Sequence, residues 1–187
     1  MKCIILAAGR GERMMPLTTN TPKPLLKIKD KTLIDYVLQS LPDEISEIII
    51  VVKYLSAQIM YHVGQAYRGR KVKYVEGSDE GNAYSFLETR KHLNNERFLL
   101  IYGDEMPTSE NVDKCMSKEL SVLVYGNMVK DGVMVLNTDI FNYEPQEDGQ
   151  FSTMVDLFIK DHTVSLIKAN YFVGEINTPD DIKRING

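Results

Sequence analysis

The sequence predicts a three-layer αβα protein built on one mostly parallel sheet. Three observations predict it. Apolar runs of strand length alternate with stretches of helical periodicity from Lys2 to Asp104. Those runs are nearly continuous rather than alternating, the mark of strands covered on both faces. A glycine-rich turn follows directly on the first run, and an open α/β sheet gathers its ligands at the carboxyl ends of its strands. A chain of 187 residues with 43% hydrophobic content suits a single domain with one substantial core.

The first strand is "KCIILA", Lys2 to Ala7, stopped by glycines. In "KTLIDYVLQSLP" Ile34, Val37, Leu38 and Leu41 recur at helical spacing, with Thr32 as N-cap and Pro42 beyond the end. "EIIIVVK" is the second strand. Ser56 should cap a helix whose face joins Ile59, Met60, Val63 and Tyr67, and "KVKYVE" is the third strand. "NAYSFLETRKHL" reads as one helix through Ala83, Phe86, Leu87 and Leu93, and "RFLLIYGDE" as the fourth strand, ending at Gly103-Asp104. This βαβαβαβ order makes the sheet mostly parallel, with helices on both faces. The second half is less regular, with strands at "LSVLVY", "GVMVL" and "TVSLIKA", a helix around "STMVDLFI" and a last one opening at Pro179. No repeat, low-complexity tract or Gly/Ser/Pro-rich linker divides the chain.

Charge excludes some partners. The net charge of −4 and pI near 5.4 arise from mixed signs without a basic run, so nucleic acid is not expected. Apolar stretches fall far short of the ~20 residues of a membrane span, and Met1-Lys2-Cys3 opens a strand rather than a cleavable signal; a cytoplasmic location away from membranes is expected. Cys3 and Cys115, without Cys-x-x-Cys spacing, read as reduced structural thiols.

The chemistry concentrates in "LAAGRGERMMPLTTNTPKPLLKI", Leu6 to Ile28. Gly9 and Gly11 let the backbone approach a phosphate and aim N–H groups at it. Met14 stands where the dinucleotide fingerprint needs its third glycine, and no Gly-Lys-Ser/Thr follows for a Walker loop. What remains is a flexible turn carrying Arg10 and Arg13, whose forks suit a polyphosphate; by itself it reads rather as a tight β-to-α turn with surface arginines. "TPKPL" adds the deciding feature. Pro22 and Pro24 restrict the backbone on both sides of Lys23, so its ammonium group is carried on a stiff extended segment. The flexible part can wrap a triphosphate while the stiff part holds one cation at the reacting phosphorus.

This stretch resembles the signature of the sugar-1-phosphate nucleotidyltransferases, L-A-A-G-x-G-x-R-x-x-P-L-T-x-x-x-P-K-P-L, at every specified position. "VKYVEGSDEGNAYSFLETRKHL" resembles the family's base-recognition strand and helix, "LLIYGDE" its Gly-Asp metal site, and "YFVGEINTPDDI" its terminal W/F-x-D-I-G-T-P-E-D block. The resemblance implies the Rossmann-like nucleotide-diphospho-sugar transferase fold. It implies one nucleotidyltransferase domain over 1–187, with a nucleotide-binding half at 1–110 and a trimmed acceptor half carrying the metal-ligand segment at 111–187. Its implied partners are an NTP and a phosphorylated sugar or similar small acceptor, with a homo-oligomer left open. By motif, amides of Ala8, Gly9 and Gly11 would hold the nucleotide, Arg13 the leaving β and γ phosphates, and Lys23 the α-phosphate and the incoming phosphate. Asp104 would bind Mg2+ with Glu175 as second ligand, and Glu76 and Gly81 would contact the base.

Four departures stand beside the resemblance. Glu175 replaces the terminal aspartate; Glu80-Gly81-Asn82-Ala83 replaces Leu-Gly-Thr-Ala; no Glu-Lys-Pro lies between "LSVLVY" and "GVMVLN"; and Met154 stands where glutamate often follows Phe-Ser. They leave a guanylyltransferase of the molybdopterin or cobinamide type, or a non-catalytic nucleotide-sugar binding domain, as alternatives. An acceptor phosphate is already anionic at neutral pH, so none of His62, His92 and His162 is expected to act as a base.

Overall fold

The structure, a computed structural model, describes residues 1–126, 129–169 and 176–187. In chain order its elements are β1 (Lys2–Ala7), β2 (Lys27–Ile28), β3 (Lys31–Thr32), α1 (Leu33–Ser40), β4 (Glu47–Val52), α2 (Ser56–Val63), β5 (Ala66–Tyr67) and β6 (Arg70–Glu76). They continue with α3 (Asn82–Leu87), β7 (Arg97–Tyr102), α4 (Ser109–Met116), β8 (Ser121–Tyr125), β9 (Val129–Asn137), α5 (Phe151–Asp161), β10 (Ser165–Lys168) and α6 (Pro179–Asn186). One sheet has the order β10-β8-β9-β7-β1-β4-β6-β5; β2 and β3 form a separate hairpin. β1 pairs parallel with β4 and β7, β4 with β6, and β8 with β10. β9 runs against both β7 and β8, and β5 against β6, so among the described residues these two strands oppose the rest of the sheet.

Continuous apolar strands produce two cores. Ile4 and Leu6 of β1 face α3 and α5, together with Phe86, Phe151, Met154 and Phe158. Cys3, Ile5 and Ala7 face the other way, onto Ile34, Val37 and Leu38 of α1, Ile59 of α2, and Val112 and Cys115 of α4. From β1 the chain steps to β4 and β6 through α1 and α2, then doubles back past β1 to β7 through α3. Reversing direction at a constant crossover hand moves the helix to the opposite face, and α3 lies there. A third, small core joins Met14, Leu26, Ile28, Leu33 and Ile176, with Ile182 and Ile185 of α6 packed against it.

Several elements differ from their sequence reading. Ser56 is the first residue of α2 and Leu55, at φ 50°, occupies the cap; the helix stops at Gly64, leaving Tyr67 in β5 and Met60 exposed. The helix expected over Asn82–Leu93 ends at Leu87 and resumes as a 3-10 turn at Arg90–His92, because the Thr89 hydroxyl donates to the Phe86 carbonyl and competes with the helical ladder. Periodicity missed α4, whose exposed face is charged, and the two-residue strands β2, β3 and β5. Thr32 caps α1 as read, in a reciprocal box with Asp35.

Phe86 links the first core. It lies 4.7 Å from Phe141, 4.5 Å from Phe151 and 5.9 Å from Phe98 by ring centroid and is fully buried. Phe86→Ala is expected to cost about 3–5 kcal/mol of unfolding free energy in urea titration. A cost below about 1 kcal/mol would show that these rings do not form one packing unit.

Candidate active site

β1 and β7 are neighbours in the sheet, but the chain leaves them in different directions, so their carboxyl ends bound a crevice at the topological switch point. Gly103 brings β7's exit close to β1: its N–H donates to the Leu6 carbonyl at 2.8 Å. A Cβ at Gly103 would stand 2.9 Å from that of Ala7. The next residue, Asp104, is thereby set beside the glycine turn.

The turn is anchored rather than floppy. Gly11 has φ +63°, and a Cβ there would be 3.1 Å from both Lys23 Cβ and Thr18 Cγ2. Buried Thr18 donates its hydroxyl to the Gly11 carbonyl at 2.8 Å. Tyr54 donates to the carbonyls of Thr18 and Thr19 at 2.9 Å, Gln58 donates to that of Asn20, and Met14 is buried in the third core. Gly9 is different: a Cβ there would meet nothing within 4 Å. Gly11 is thus demanded by the fold, whereas the backbone alone gives no reason for glycine at position 9.

"TPKPL" also differs from its reading. Lys23–Leu25 form a 3-10 turn, closed by Leu25 N–H to Pro22 and Leu26 N–H to Lys23, in place of an extended segment. Proline's φ near −65° serves such a turn as well as an extended chain. The outcome is still a fixed lysine: Lys23 is buried, and its Nζ lies 2.5 Å from Asp104 Oδ2. Lys23 Nζ also lies 3.4 Å from Asn177 Oδ1, which accepts from Arg13 Nη2 at 3.0 Å. The structure therefore brings Arg13, Lys23 and Asp104 into one cluster, and adds Asn177.

Asn177 is not among the residues expected from the sequence to form the site; an uncharged amide carries no site pattern of its own, and the capping pattern Thr178-x-x-Asp181 is the signal that fixes its position. Asp181 Oδ2 accepts from the N–H groups of Asn177 and Thr178 and from the Thr178 hydroxyl. The Thr178 hydroxyl first, then those amides, hold the Asp181 carboxyl below its ordinary range.

The remaining expected residues lie around this cluster. Ala8 packs on the loop after β6, since a Cβ at Gly77 would stand 2.8 Å from its Cβ. Glu76, at the end of β6, is exposed and ion-paired with Lys53 at 3.1 Å. Gly81, at φ +137°, has a structural requirement of its own: a Cβ would fall 2.4 Å from the Gly149 carbonyl oxygen, where α3 meets the turn before α5. Met154 is fully buried in the first core. Glu175 lies outside the described residues. Among those described, no three His, Cys, Asp or Glu side chains converge as a metal site, and Asp104, about one-third exposed, is the carboxylate in the crevice cluster.

The histidines are occupied elsewhere: His62 on Asp35 at 3.0 Å, His162 stacked on Phe158, and His92 in the 3-10 turn, its pKa lowered first by burial and then by Lys73 and Lys91. Both cysteines are buried and unbridged, and burial pushes the Cys3 thiol far up. No helix among the described residues is long and apolar enough to cross a membrane.

Two stability tests follow from this geometry. Gly11→Ala is expected to destabilise by about 1–2 kcal/mol, the cost of a left-handed alanine, while Gly9→Ala should change the melting midpoint negligibly; equal losses would contradict the open surroundings of Gly9. Asp181, with its pKa depressed in the fold, contributes stability that is present above its ordinary pKa and lost as pH falls through the lower folded value. The melting midpoints of wild type and Asp181→Asn should therefore differ at pH 6 and converge below the ordinary aspartate range, and a constant gap would refute the cap's contribution.

Comparison with known proteins places this geometry in a family. Residues 2–120 match the family model described as "Nucleotidyl transferase". The chain is 31% identical over 79% of its length, and 36% of the other's, to the bifunctional protein GlmU of Methanocaldococcus jannaschii. It is 26% identical to the D-glycero-alpha-D-manno-heptose 1-phosphate guanylyltransferase of Campylobacter jejuni, over 97% of this chain and 96% of that one. The chain spans 36% to 54% of the length of the first curated relatives it matches. The fold superposes on the UDP-glucose pyrophosphorylase of Acinetobacter baumanii with a TM-score of 0.84 at 14% identity, covering 99% of this chain and 91% of that one. The chain belongs to the nucleotidyl transferase family.

Proposed function

We propose that the chain transfers the nucleoside monophosphate unit of an NTP to a sugar 1-phosphate and releases pyrophosphate. The observation that carries this reading is the cluster at the β1/β7 switch point, where a buried, turn-fixed lysine meets the Asp104 carboxylate with Arg13 alongside. The heptose 1-phosphate guanylyltransferase, matched along nearly its whole length, supports a phosphorylated sugar as acceptor.

An acceptor phosphate oxygen attacks the α-phosphorus, the bond to the β-phosphate oxygen breaks, and pyrophosphate departs. The acceptor's second pKa is about 6, so it arrives as an anion and no protein base is required. Catalysis reduces to aligning anions and offsetting their repulsion. Lys23 addresses the α-phosphate and the acceptor, Arg13 the leaving phosphates, and the amides around Ala8, Gly9 and Gly11 the triphosphate. Glu76 and Gly81 are proposed beside the base, with Glu76 turning from Lys53 on binding. A hard divalent cation fits the Asp104 oxygens, and we assign Mg2+, with Glu175 as second ligand, to neutralise phosphate charge there. The protein is expected to act in the cytoplasm.

The test crosses the four common NTPs with a panel of sugar 1-phosphates and measures pyrophosphate. Wild type should release it stoichiometrically with product in Mg2+, and Lys23→Ala should lose a factor of roughly 10²–10³ while remaining folded by circular dichroism. Asp104→Asn and Glu175→Gln should each weaken divalent-cation binding and combine non-additively, since one ion is shared. Wild-type turnover in Lys23→Ala, or additive small effects of the carboxylate changes, would refute these assignments.

A further inference from the structure

Asn177 occupies the place that the terminal pattern W/F-x-D-I-G-T-P-E-D fills with glycine, and its side chain reaches both cations of the site. We propose that Asn177 is a positioning residue, whose neutral carbonyl oxygen holds Arg13 and Lys23 side by side toward the triphosphate. This inference rests on the function proposed above.

Two positive groups converge on one oxygen, at 3.0 Å from Arg13 Nη2 and 3.4 Å from Lys23 Nζ. Like charges at this range repel, and long side chains lose rotamer freedom when held; without a shared acceptor they would splay. A carboxylate at position 177 would hold them more strongly but cancel the charge that a phosphate needs. An amide oxygen holds them and leaves the charge in place. Asp104 already supplies one negative charge to Lys23, while Arg13 Nη2 donates to the neutral amide oxygen.

The position of Asn177 is itself fixed. Its N–H is bonded to Asp181, and its neighbour Ile176 is buried in the third core. Met14, next to Arg13, and Leu26, in the turn begun by Lys23, are buried in that same core. Each of the three polar side chains thus has an apolar anchor within a few residues in one cluster. At its far end α6 is tied down where the Lys29 N–H donates to Asn186 Oδ1 at 2.6 Å. The terminal segment and the signature loop are clamped together by packing, and the shared oxygen aligns the charges that the clamp brings near.

The experiment measures affinities of the full chain for each of the four common NTPs and the matching NMPs by equilibrium dialysis, in wild type, Asn177→Gly, Asn177→Ala and Asn177→Asp. Asn177→Gly and Asn177→Ala should weaken NTP binding roughly tenfold, the scale of one charge-assisted hydrogen bond. NMP binding should weaken less, because Arg13 faces the leaving phosphates, so the NTP-to-NMP preference falls. Asn177→Asp should lower NTP affinity further than glycine does, by cancelling charge. A role confined to stabilising α6 would lower the melting midpoint and leave that preference constant. A constant preference in all three variants overturns the proposal, as does an Asp variant that binds NTP as well as wild type. If wild type itself shows no preference for any NTP, the proposed function fails and this inference with it; a wild-type preference that the variants retain overturns the inference alone.

Discussion

The contact on which the site depends is the one between the Lys23 ammonium and the Asp104 carboxylate, 2.5 Å apart across the crevice between β1 and β7. A lysine this deeply buried loses much of its hydration, and a desolvated cation is tolerated only where a partner offsets that loss. The sheet supplies the partner through topology. Because β1 sends its chain toward β4 and β7 sends its chain toward α4, the two exits diverge and leave open ground between them. Gly103 then lets the β7 exit lie against Leu6 and Ala7, which a side chain there would prevent.

Two layers of restraint hold the lysine's side of the pair. The 3-10 turn at Lys23–Leu25 sets the backbone, and Gly11 with Thr18 packs against the side chain's first carbons. Farther out, Tyr54 and Gln58 fasten the loop's return to α2 and the segment leading into it. A site that stabilises phosphates by fixed cations benefits from such restraint, since dipoles and charges already in place need not reorganise during reaction. The same packing explains why the terminal segment matters to residues far earlier in the chain. Ile176, Ile182 and Ile185 complete a core begun by Met14, Leu26 and Ile28, and Asn177 arrives beside Arg13 as a consequence.

The second half of the chain spends its residues on extending the sheet. β9 inserts antiparallel between β7 and β8, and β10 closes the edge beside β8. Met154, expected where relatives place a glutamate, is core packing for α5. Gly81 and Gly149 permit α3 and the turn before α5 to touch backbone to backbone, and Asn82 accepts from the Phe151 N–H at 2.6 Å across that junction. The departures at positions 82 and 154 are therefore accounted for by packing between α3 and α5.

What the sequence determined by itself was whatever depends on local pattern. Continuous apolar runs specified the buried strands, helical spacing with Thr32 located α1, and the unbroken signature from Leu6 to Leu25 marked Arg13 and Lys23, because both rest on neighbours in the chain. Asp104 is singled out by the family resemblance of its Gly-Asp segment rather than by local pattern. Local pattern misjudged the glycine loop as floppy and "TPKPL" as extended, since the bonds from Tyr54 and Gln58 and the burial of Met14 come from distant residues. It could not distinguish Gly9 from Gly11, one standing open and the other wedged between Thr18 and Lys23. Nor does local pattern show what the Asn177 side chain touches. Its role arises only when α6 folds back onto the third core and sets one neutral oxygen between two cations more than 150 residues earlier in the chain, a meeting that packing decides and sequence spacing does not encode.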